Sequence, residues 1–138
     1  MKIVLKDTAQ AISVAKRMLF LAYNASAPAS GMGMFQEARL GGKPADEETV
    51  WNCAYNAEDY MGLKHEPPNV VHADYVFGRM MKWSCKWEKN VLSIRDDNYH
   101  WEYQSFSGSY PTSKDLVVAA LESLGLKDVA TNVKEYVG

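Results

Sequence analysis

From residue 81 to residue 88 the chain alternates without a break: Met81, Trp83, Cys85 and Trp87 are apolar, and Lys82, Ser84, Lys86 and Glu88 are polar. Successive side chains leave a strand on opposite faces, so a period of two over eight residues predicts a half-buried strand. Lys89-Asn90 then reads as a two-residue hairpin turn, with Asn90 tolerating the positive φ that such turns require. That turn pairs Glu88 with Val91, Trp87 with Leu92 and Cys85 with Ile94. A second turn at Asp97-Asn98 pairs Asp96 with Tyr99 and sets Ile94 opposite Trp101 and Leu92 opposite Tyr103. The two turns agree on one register, and a slip of one residue at either would push the aromatic set into water. The expectation is a three-stranded antiparallel meander over about residues 80–105. Helices cover the face of Trp83, Trp87 and Trp101, and the other face is open to solvent.

The flanking segments supply the helical cover. Ile12, Ala15, Leu19 and Ala22 recur at helical spacing over residues 8–25, with Val14, Met18 and Leu21 beside them, and Asp7 or Thr8 can cap the first free amides. From Asp46 the acidic pair Glu47-Glu48 complements a helix macrodipole, and Val50, Ala54, Ala57 and Met61 align before Gly62 ends the pattern. Thr112 and Asp115 form a variant capping box ahead of Leu116, Val117, Ala120, Leu121 and Leu124, with Gly125 as terminator. Asp128 to Val137 is a last amphipathic segment offering Val129, Val133 and Tyr136. Residues 26–33 and 41–44 read as loops. Val70 to Met81 stays open between a strand through Tyr75-Val76-Phe77 and a short helix capped by Asp74. The fold class is α+β, in one domain of 138 residues.

Charge and cysteine usage exclude several classes. Fifteen basic and seventeen acidic side chains leave a net charge of -2, so no global field draws the chain to nucleic acid or to an anionic membrane. The apolar run Met18 to Tyr23 is far short of the roughly 18–20 residues that span a bilayer, and Lys6 and Asp7 interrupt the first apolar stretch. A cytoplasmic location is expected. Cys53 and Cys85 read as reduced, buried side chains, and with His65, His72 and His100 they form no zinc-ligand spacing. No cofactor is expected.

The chemistry that remains is local. Between Arg79 and Arg95 lie five basic residues and one acidic one, a charge of 5 − 1 = +4. On the meander this places Lys86, Ser93 and Glu102 in one outward cross-strand row, with Ser84, Arg95 and His100 in the next. Lys82, Lys86, Arg95 and His100 are therefore the candidate residues for binding an anionic ligand or a nucleic acid. A solvated face with ordinary cross-strand pairs is the plainer reading of the same residues. His72 and Asp74 would share one side of a strand, which suits an acid/base couple or two metal ligands, but no third group is placed near them. Ser30-Gly31-Met32-Gly33 lacks the glycine and lysine of a phosphate loop, and Ser107-Gly108-Ser109 lacks the surroundings of a nucleophile elbow.

The stretch Asp74-Tyr75-Val76-Phe77-Gly78-Arg79-Met80-Met81-Lys82, with Tyr103-Gln104-Ser105-Phe106 and Tyr110-Pro111, resembles small uncharacterised proteins carried by phages and other mobile elements. That resemblance implies an accessory protein that binds something in a host, and it carries no catalytic residues. The leading expectation is thus a non-enzymatic interaction domain with a protein partner. Anion or nucleic-acid binding through the basic hairpin is the alternative, and a small-molecule or metal-assisted enzyme centred on His72 and Asp74 is the third. Edge pairing into a homodimer is open unless Lys2 to Leu5 or Val70 to Phe77 covers the meander's edges.

Overall fold

The computed structural model describes residues 1–26, 46–56, 69–77, 80–96 and 113–135. In chain order the elements are β1 (Lys2–Val4), α1 (Thr8–Ser26), α2 (Glu47–Asn56), β2 (Val70–Phe77), β3 (Met80–Glu88), β4 (Val91–Asp96), α3 (Ser113–Ser123) and α4 (Lys127–Lys134). The fold is α+β, with an antiparallel sheet in the order β1-β4-β3-β2.

The β3–β4 hairpin takes the register read from the alternation: Glu88 opposes Val91, Trp87 opposes Leu92 and Cys85 opposes Ile94. Lys89 and Asn90 have φ of 52° and 66°, the two positive values of a turn whose twist matches that of its strands. For lysine this left-handed conformation costs about 1–2 kcal/mol. Within the segment left open, Val70–Phe77 is strand, and β2 pairs with β3 with one register shift between Tyr75 and Val76.

Among the described residues the sheet has four strands where three were expected: β2, β3 and β4 form an antiparallel meander, and β1 adds to it. The second edge of β4 is taken by β1, with Lys2 opposite Ser93, Ile3 opposite Leu92 and Val4 opposite Val91. Ile94 also donates its amide to the Met1 carbonyl at 2.8 Å. The partners expected on that edge, Tyr103, Glu102 and Trp101, lie outside the described residues. Pairing distant segments leaves no local signature, whereas a two-residue turn does. The expected strand over 99–105, its Asp97-Asn98 turn and the capping Thr112 lie outside the described residues.

The two outermost strands carry features that discourage further pairing. β1 is only three residues long and bears Lys2, and the β2–β3 register shifts between Tyr75 and Val76.

One face of the sheet is sealed by the helices. Trp83, Cys85, Trp87, Leu92, Ile94, Val71, Ala73 and Ile3 are buried with Val14, Met18 and Leu19 of α1 and Leu116, Val117 and Leu121 of α3. Ala11 and Ala15 of α1 and Ala73 of β2 are fully buried, and their small side chains let the helix lie close to the strand. Each buried indole removes about 150–250 Å² from water, worth roughly 4–6 kcal/mol at about 25 cal/mol per Å². Trp87 adds a hydrogen bond from Nε1 to the Leu5 carbonyl at 3.1 Å. Cys85 is a buried thiol.

The helix ends follow their local chemistry. Asp7 accepts the Gln10 amide at 2.8 Å while the Gln10 side chain accepts the Lys6 amide at 2.9 Å, a reciprocal cap for α1. Asp46 caps α2 by accepting both the amide and the hydroxyl of Thr49, each at 2.8 Å. Those bonds hold its carboxyl below the ordinary carboxylate value, the Thr49 amide contributing most and its hydroxyl next. Because the folded form then binds the proton less readily than the unfolded chain, the stabilisation is complete at neutral pH. It fades as pH falls through the ordinary carboxylate range and is lost below the lowered value. The stability difference between wild type and Asp46→Ala is expected to shrink between neutral pH and about pH 3 in urea titrations. A difference that stays constant with pH would contradict this cap.

α3 ends at Gly125, whose φ is +78°, with the Leu126 amide on the Leu121 carbonyl at 2.9 Å and the Gly125 amide on the Glu122 carbonyl at 3.0 Å. A Cβ at Gly125 would meet no atom within 4 Å. Gly125→Ala is therefore expected to cost about 1 kcal/mol from backbone strain alone, read as a lower urea midpoint with an unchanged slope.

Lys16 and Arg17, on α1, reach α2 through ion pairs with Glu48 and Glu47. Arg17 also donates to the Ser123 hydroxyl of α3 at 2.8 Å, so one guanidinium ties three helices.

Candidate functional site

Because all the helices described pack on the indole side, the other face of the sheet is left to its polar side chains. The cross-strand register assembles them into rows. One row runs Lys2, Ser93, Lys86 and His72, contributed in turn by β1, β4, β3 and β2. The next row holds the register positions Arg95, Ser84 and Asp74, on β4, β3 and β2. On the far side of the first row come Val4, Val91, Glu88 and Val70, and the turn residue Lys89 stands at the end of the hairpin.

The candidate residues fare differently. Lys86 and Arg95 are exposed on this face, as the alternation requires. Lys86 lies 3.4 Å from Glu88, an exposed pair of the kind that contributes little to stability. Lys82 falls at the β2–β3 register shift and has no Cα partner on β2. His100 lies outside the described residues. His72 is half-buried and opposes Lys86, so it joins that row; Asp74 stands two positions on in β2, at the register position of Ser84. Among the described residues no three His, Cys, Asp or Glu side chains gather as a metal site.

Two cations were not legible as site residues. Lys2 reaches the row only because β1 adds to β4. Lys89 reaches it because the turn is two residues long, and the signal that could have found it was the same turn that fixed the register.

Lys2, Lys86, Lys89, Glu88, Val91 and Ser93 line an open depression of about 340 Å³ on this face. A second, of about 510 Å³, lies over the end of the sheet where Lys6, Asn69 and Lys89 approach the start of α1. Asp7 caps that helix and brings its own negative charge, which opposes an anion there.

No protein family, curated protein or solved structure was found to match this chain. No helix among the described residues is long and apolar enough to cross a membrane.

Proposed function

We propose that this chain is a binding domain that engages an anionic partner across the open face of its sheet. The observation that carries the reading is the gathering of Lys2, Lys86, Lys89 and Arg95 from three strands and a turn onto one solvated surface. A chain with a net charge of -2 supplies no long-range attraction, so a local cluster must provide the contact energy. Glu88, beside Lys86, moderates the cluster, which favours a defined footprint over indiscriminate adhesion. The cross-strand rows through Lys86 and Arg95 contain no Phe, Tyr or Trp on which a base could stack, so affinity there would be mainly electrostatic. The resemblance to small proteins of mobile elements supports an accessory role for such a surface.

The test is the salt dependence of binding to a short single-stranded oligonucleotide carrying 5′-hydroxyl ends. Four lysine and arginine contacts predict a slope of roughly -3 in log K against log salt, at about 0.7 per contact. Binding that ignores salt, or no binding at low salt, refutes the proposal.

A further inference from the structure

Resting on that reading, we infer that the depression bounded by Lys2, Lys86, Lys89 and Ser93 is a site for a phosphate monoester group. Lys2, Lys86, Lys89 and Ser93 line it from β1, β3, the turn and β4, so its cationic and hydroxyl residues border the space from several sides instead of lying along one element. With Glu88 at the wall the local charge is 3 − 1 = +2. A phosphate monoester carries about -1.5 to -2 at neutral pH, and a backbone diester only about half of that. The volume of about 340 Å³ lies at the small end of ligand sites, and Val91 offers one apolar wall for whatever carries the phosphate.

The turn supplies an independent observation. Both of its central residues need positive φ, which asparagine followed by glycine provides with least strain, yet the first position here is Lys89 at 52°. Local backbone preference opposes lysine there. Strain retained at one residue points to a role for that residue, and Lys89 lines the depression.

The experiment is a titration with inorganic phosphate at constant ionic strength, followed through the backbone amides of Lys89, Asn90 and Ser93 by NMR. Saturable shifts confined to those amides, absent at Thr131 of α4, are expected. The double variant Lys89→Asn, Asn90→Gly restores the preferred turn sequence while removing the ammonium, so loss of fold cannot explain its behaviour. It is expected to unfold at no lower denaturant and to bind phosphate about tenfold more weakly. Unsaturable shifts, or equal affinity in that variant, overturn the site. A phosphoserine peptide and a nucleoside monophosphate distinguish the sources: whichever exceeds inorganic phosphate identifies the carrier, and either supports the site. Retained binding of the 5′-hydroxyl oligonucleotide without phosphate binding removes this inference alone. Loss of both removes the proposed function as well.

Discussion

Replacing Trp87 with alanine is expected to destabilise the fold by about 3–5 kcal/mol, the range for deleting a large aromatic side chain from a core. Trp87 is only 4% exposed and faces Leu92 across the hairpin. Its indole also satisfies the Leu5 carbonyl, and Leu5 is fully buried, so the truncation strands an acceptor as well as opening a cavity. Leu5 in turn donates its amide to the Asn90 carbonyl at 3.0 Å, so the damage reaches the junction of β1, α1 and the turn. A domain of this kind holds about 5–15 kcal/mol in total, and the variant should therefore be partly unfolded or close to it at room temperature. Trp87→Phe keeps most of the volume and loses the hydrogen bond, and about 1–2 kcal/mol is expected. Guanidinium titrations of both variants give the comparison. A cost below about 1 kcal/mol for Trp87→Ala would show that the indole is not the packing centre described.

Reversing both exposed cations of the hairpin, Lys86→Glu with Arg95→Glu, is expected to lower oligonucleotide affinity at low salt by one to two orders of magnitude, roughly 1.4–2.8 kcal/mol. Two of four contacts disappear, so the salt slope should become shallower by about 1.4. Both side chains are exposed and lie on the face away from the core, so circular dichroism and the denaturation midpoint should move little. Lys127→Glu on α4 is the control: it changes net charge in the same direction from the helical layer and should barely alter binding. Equal losses from Lys127→Glu and from the hairpin pair would reduce the effect to net charge and exclude a defined surface.

The hairpin was legible because both of its determinants are local. Trp83, Cys85 and Trp87 alternate with polar residues, and the turn that follows admits positive φ, so strand, register and buried face followed together. The stripes of α1 and α3 were equally readable, since Met18, Leu19, Leu116 and Leu121 recur at helical spacing. Two buried alanines, Ala11 and Ala130, escaped notice because small side chains weigh little in an apolar pattern yet are buried as completely as leucine. The candidate site was half legible. Lys86 and Arg95 came from the alternation, whereas Lys2 and the place of His72 beside Lys86 did not.

Local patterning was enough for the elements whose periodicity repeats within a few residues: the paired strands β3 and β4, the capped helices, and the side of each that must be dry. Tertiary packing settled what flanks that hairpin: it set β1 against β4 from some ninety residues away, and it made strand rather than helix of the ambiguous segment β2 just ahead of β3. The physical reason is that a backbone edge offers the same amides and carbonyls to any extended segment. The choice is made by the summed burial of Ile3, Leu5, Val71 and Ala73 beneath the helices, which no short window of sequence contains.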